Sequence, residues 1–169
     1  MAHAALNWFL SFNPRNRARV DRFLRANFRS ASQDVFDTVK YRVLRIRELL
    51  EAAQGGRLTF ACAPPGDTAC GNWTGYVRRG ERGIIHICRP FFPLTLEGRR
   101  WMLIHECAHL AGAMTQPEHY YGFFGPVGTS ECLRATPAAT TRDALGLADN
   151  YARLVWCLVR QPGITVTPP

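Results

Sequence analysis

The run Trp101-Met102-Leu103-Ile104-His105-Glu106-Cys107-Ala108-His109 carries two regularities at once. Trp101, Ile104, His105, Ala108 and His109 recur at helical spacing, so a helix is expected from about Leu96 to Ala111, with Gly112 as its stop. Within that helix, His105 and His109 stand four residues apart, with a glutamate directly after the first. Positions i and i+4 share one helix face, so both imidazoles can reach a single ion. Glu106 then projects beside the ion and can take a proton from a water that the ion has acidified. The pattern H-E-x-x-H therefore predicts one Zn2+ ion held by His105 and His109, with Glu106 as general base. The competing account is an accidental helix pair of histidines. With five histidines in 169 residues, that spacing arises by chance at roughly one percent.

A catalytic zinc takes three protein ligands and keeps one open position. The pattern extends through Gly112, but Thr115 stands where a third histidine would follow in one common plan. Glu131 is a distant carboxylate among loop-forming residues. Asp149, in the last helical stretch, is suited to accept a hydrogen bond from the outer nitrogen of a zinc-bound histidine, or else simply to cap its helix. His86 alternates with Ile84 and Cys88 and reads as a satisfied histidine of a strand.

After His109 comes Pro117-Glu118-His119-Tyr120-Tyr121-Gly122. Together with H-E-x-x-H, this resembles the aspzincins, the deuterolysin and peptidyl-Lys metalloendopeptidase group, whose motif continues with D-x-x-Y-G. Gly75-Tyr76-Val77, Ile85-His86-Ile87-Cys88, Phe91-Phe92 and Leu147-Ala148-Asp149-Asn150-Tyr151 are similar to further segments of that family. The likeness spans about residues 60 to 157. It implies Glu118 as the third zinc ligand in place of aspartate, with a side chain one methylene longer. His119 is the rival ligand, and an exposed loop acid the plainer account of Glu118. It also implies that the Tyr121 hydroxyl stabilises the oxyanion, the alternative being an aromatic that packs under a loop. The fold implied is α+β: a zincin-like single domain with N-terminal helices, a small β-sheet, an H-E-x-x-H helix and a C-terminal helix. The activity implied is that of a zinc metalloendopeptidase acting on protein or peptide substrates, which are expected to lie along the strand ending at Cys88.

The rest of the chain fits one domain over 1–169. Residues 1–56 form a helical N-terminal part, 57–161 the catalytic core, and 162–169 a loose tail. Val20, Phe23, Leu24 and Phe28 mark a helix over 15–28. Phe36, Val39, Val43, Ile46 and Leu50 mark another over 32–54, stopped by Gly55-Gly56. Ser30 with Gln33, and Thr140 with Asp143, resemble capping boxes. Strands are expected at 58–62, 76–78 and 84–88, a long ordered loop over 112–139, and one last helix from about 140 to 159.

Six cysteines without a C-x-x-C pair favour disulfides in an oxidising compartment over a thiolate zinc knuckle, with Cys107 a candidate free thiol. Secretion or a periplasmic location is expected, with delivery as part of a larger protein an option. A bacterial effector or toxin domain fits this, and effectors of this kind often need a cognate inhibitor or immunity protein. No apolar run reaches membrane-span length. The net charge of +8 is carried by scattered arginines without an aromatic-basic motif, which makes nucleic acid an unlikely partner. A non-catalytic zinc-containing binding domain and a basic nucleic-acid-binding domain are the rival readings. The first has no chemical use for Glu106.

Overall fold

The structure, a computed structural model, describes residues 17–113 and 132–160. The first helix, α1 (Arg17–Phe28), buries Val20, Phe23, Leu24 and Phe28. The second, α2 (Gln33–Gln54), buries Phe36, Val39, Val43 and Ile46, the stripe expected from their spacing, and ends at Gly55. Ser32 is its N-cap but makes no side-chain cap bond. The expected Ser30–Gln33 capping box is absent: the Ser30 hydroxyl accepts from Ser32 N–H instead, and the Gln33 amide turns outward to Asp37. A local side chain-to-backbone bond has outcompeted the box.

A three-stranded sheet follows, ordered β1-β3-β2. Strand β1 (Thr59–Cys62) pairs in parallel with β3 (Ile84–Ile87). Strand β2 (Gly75–Tyr76) is shorter than expected and pairs antiparallel with β3. Since β3 is paired on both sides, it cannot offer a free edge to a peptide. Among the described residues the outer strands are β1 and β2, which corrects the expectation that substrate lies along the strand ending at Cys88.

A 3-10 turn at Arg89–Phe91 leads to α3 (Leu96–Leu110), the helix of the histidine pair. Thr95 caps it by accepting from the Gly98 N–H. The last helical stretch is two helices, α4 (Thr141–Gly146) and α5 (Ala148–Arg160). They are split where Leu147 adopts extended geometry, φ −82° and ψ 119°. The Thr140–Asp143 box does form: the hydroxyl accepts from Asp143 N–H and donates to its carboxylate.

The core lies between helices. α3 packs on α5 and α2, α1 packs on α5, and β2 rests on α3. Trp101, Ile104, Cys107 and Ala108 of α3 meet Tyr151, Leu154, Val155 and Leu158 of α5 in one cluster. Disulfides Cys70–Cys88 and Cys132–Cys157 tie the sheet loop and α5 to their neighbours. Cys62 and Cys107 are free thiols, as expected for Cys107. Two disulfides suit an oxidising compartment. Among the described residues, no helix is long and apolar enough to cross a membrane.

Candidate zinc centre

α3 turns its last two turns toward the N-terminus of α5, and the site forms where they meet. The His105 Nδ1–H donates to Asp149 Oδ1 at 2.7 Å. Asp149 stands in the first turn of α5, where the unsatisfied N–H groups and helix dipole favour a carboxylate. It is held there by the corner between α4 and α5. The Asn150 amide donates to Ala144 O and accepts from the Thr136 hydroxyl. Arg42 of α2 bonds both Leu145 O and the Tyr151 hydroxyl. One turn beyond Asp149, the fully buried Arg153 donates to Ala26 O of α1 and to Arg134 O, fixing α5 lengthwise.

The ring of His109 is set by the backbone. Its Nδ1 lies 2.7 Å from the Ala113 carbonyl oxygen, which can only accept, so Nδ1 carries the proton. Gly112, at φ 98°, makes the turn that brings Ala113 back under the ring. No side-chain pattern announces this contact, because any residue at 113 supplies a carbonyl.

Both rings thus spend Nδ1–H outward and aim Nε2 inward, where the two Nε2 atoms stand 3.1 Å apart. Two lone pairs at that distance repel unless something positive lies between them, whether a shared proton or a metal ion. Nitrogens bound at about 2.0–2.1 Å to one tetrahedral zinc lie about 3.3 Å apart, close to the spacing observed. The carboxylate of Glu106 is buried, and its Oε2 has no hydrogen-bond partner among the described residues. Two convergent imidazoles supply two ligands for a divalent cation, and the buried unpaired carboxylate of Glu106 stands beside them as a proton acceptor.

The electrostatics agree. Burial pushes Glu106 up to about 7, with the His105 charge opposing and Asp149 assisting. Burial and the neighbouring His105 charge pull His109 down to about 4, leaving it neutral and able to ligate. For His105, burial works downward, but the bond and charge of Asp149, helped by Glu106, outweigh it and raise the pKa. Burial drives Cys107 up to about 12, so it is an inert thiol beside the site.

Of the residues singled out in sequence, the structure brings His105, Glu106, His109 and Asp149 together. Among the described residues, no third side chain joins His105 and His109 in a group placed to hold a metal ion. Glu118, His119, Tyr121 and Glu131 lie outside those residues. His86 is elsewhere, stacked on Tyr76 with ring centroids 4.5 Å apart and bonded to Glu81. Arg42 and Arg153, which hold the corner carrying Asp149, had no signal in the sequence beyond their charge.

A helix presenting two imidazoles to one point, with a buried glutamate beside them and a small sheet along its flank, defines a zincin-type metallopeptidase. The family model described as lysine-specific metallo-endopeptidase matches residues 10–153. The chain belongs to this aspzincin family of zinc metallo-endopeptidases. Among solved structures, a zinc peptidase from Grifola frondosa matches with a TM-score of 0.57 at 17% identity, covering 90% of each chain. No curated protein matches the sequence.

Proposed function

We propose that the protein cleaves peptide bonds within protein substrates at a single zinc ion, with Glu106 as the general base. His105 and His109 hold the ion, with Glu118 as third ligand and His119 as its alternative. When bound, zinc acidifies a water and polarises the scissile carbonyl. Glu106 Oε2, with no hydrogen-bond partner among the described residues, accepts the proton of the attacking water and returns it to the leaving amine. Without metal, burial raises the Glu106 pKa, the direction that favours its holding the proton between the two transfers. Asp149 keeps His105 in the Nδ1–H tautomer that leaves Nε2 free to ligate. Tyr121 donates its hydroxyl to the oxygen that gains negative charge. The substrate lies extended against the outer edge of β2, the strand that rests on α3.

The observation that carries this reading is the pair of Nε2 atoms facing each other beside an unpartnered buried carboxylate. Glu106→Gln is expected to retain one zinc per chain and lose at least about a hundredfold in casein cleavage. Undiminished cleavage by the folded, zinc-loaded variant ends the proposal. Zinc content measured alongside also separates the enzyme from a basic nucleic-acid-binding domain, which needs no stoichiometric metal.

Strict preference for lysine is not part of the proposal. The region 128–143 offers Glu131 and Asp143 together with Arg134 and Arg142. The Asp143 carboxylate is already engaged by Thr140 as a helix cap. Two disulfides and the basic, arginine-dominated composition support secretion, a periplasmic location, or delivery as a bacterial effector or toxin domain within a larger protein. Effectors of this kind often have a cognate inhibitor in the producing cell.

A further inference from the structure

Beyond Tyr76 the chain turns back to β3 and carries Arg78, Arg79 and Arg82 around the turn. The turn is closed by the Glu81 N–H donating to Arg78 O, with Gly80 and Gly83 at positive φ. The acids at this corner are occupied. Glu81 Oε2 lies 2.6 Å from His86 Nε2, and its other oxygen lies 3.7 Å from Arg78. Asp67 accepts from the Tyr76 hydroxyl at 2.6 Å and lies 3.6 Å from Arg78. Arg79 and Arg82 are exposed, and among the described residues no carboxylate pairs with either.

This charge continues the line of β2, whose far edge pairs with no strand among the described residues. β2 is an outer strand, and α3 lies against it at Gly75, where Met102 packs one turn before His105. A peptide adding to β2 in the antiparallel sense, the more stable pairing, runs its N-terminal flank past Tyr76 toward Arg79 and Arg82. A turn with two uncompensated guanidinium groups attracts carboxylates within about a Debye length, roughly 8 Å at physiological salt.

We propose that the β2–β3 turn is a specificity element that selects protein substrates with acidic side chains on the N-terminal side of the cleaved bond. The inference rests on the peptidase reading above and names the substrate class for that site. Among the described residues, neither arginine bonds His105, Glu106, His109 or Asp149.

Three peptides sharing one cleavable core separate the possibilities. Their N-terminal flanks are three Glu, three Gln or three Lys residues, and kcat/KM is measured for zinc-loaded enzyme at low and high salt. The Glu-flanked peptide is expected to be cleaved roughly three- to tenfold faster than the Gln-flanked one, with the gap shrinking at high salt. The Lys-flanked peptide is expected to be the slowest. R79E/R82E is expected to reverse that order, with the Lys-flanked peptide becoming the fastest of the three. Equal rates on all three peptides, or an order that R79E/R82E leaves unchanged, overturn the inference and leave the peptidase reading intact. If zinc-loaded enzyme cleaves none of them, nor casein, both fall together.

Discussion

Glu106 is held where a carboxylate is costly to ionise, and the cost has a sign that can be measured. Burial raises its pKa from an ordinary 4.5 to about 7. Its folded pKa is therefore above its unfolded one, so its contribution to stability is complete below about pH 4.5 and lost as pH rises through about 7. His109 runs the other way: depressed to about 4 by burial, it contributes stability above its ordinary 6.5 that is lost as pH falls toward 4. The difference between wild type and Glu106→Gln reports the glutamate together with its charge coupling to His105, since His109 is common to both. In metal-free protein, the Gln variant is expected to gain on wild type between pH 4.5 and about 7, by up to about 3 kcal/mol. Urea titrations in chelator across pH 4 to 8 test this, and a gap independent of pH contradicts it. Asp149 is the second residue whose role is measurable alone. Its single bond to His105 sets the tautomer, so Asp149→Ala is expected to weaken zinc binding about 10- to 100-fold with the fold retained. Competition with a chromophoric chelator measures the change, and unaltered affinity removes Asp149 from the site.

Between β2 and α3 the packing leaves no room for a side chain at Gly75. A Cβ there would lie 3.0 Å from the His86 carbonyl oxygen and 3.0 Å from Met102 Sδ. The thioether can shift, but the carbonyl belongs to the ladder that holds β2 on β3. Gly75→Ala is therefore expected to push the proposed substrate edge away from α3, at a cost of about 1–3 kcal/mol. A thermal melt checks the cost, and casein cleavage should fall more steeply than stability alone explains. Full activity and an unchanged melt contradict the close approach. This contact also shows what could be read from sequence and what could not. α2 and α3 were legible because a helix writes its own face into its spacing. Phe36, Val39 and Ile46 mark one stripe, and His105 and His109 another. The two-residue β2 was placed only approximately, since its limits are set by β3, which comes later in the chain. The break at Leu147 was invisible because Gly146 and Leu147 are compatible with a continuous helix. What splits it is tertiary: Arg42, reaching from α2 to Leu145 O, and Asn150, folding back to Ala144 O. The pairing of His105 with Asp149 spans 44 residues and has no periodicity to announce it. It was anticipated from the chemistry of zinc-bound histidine alone.

At the scale of the whole molecule, the six cysteines divide into two kinds, and that division governs both stability and reactivity. Cys132–Cys157 and Cys70–Cys88 close loops of 25 and 18 residues. Chain-entropy reasoning assigns each about 3 kcal/mol, by restricting the unfolded chain. The first anchors α5 beyond Arg153, and so steadies the helix whose first turn carries Asp149. The second joins the loop before β2 to the end of β3, and so steadies the edge proposed for the substrate. Cys62 is exposed at the end of β1, whereas Cys107 is sealed in the core with its thiol pushed up to about 12. Native protein without reductant should therefore present one reactive thiol to a thiol reagent, and denatured, unreduced protein two. Substituting both bridged pairs with serine should lower stability by several kcal/mol and reduce cleavage through disorder around Asp149 and β2. Four reactive thiols or none after denaturation would overturn the pairing. A molecule equally stable and active without its bridges would show that the helical core alone fixes the site, making the oxidising compartment a circumstance of the protein and not a requirement of its chemistry.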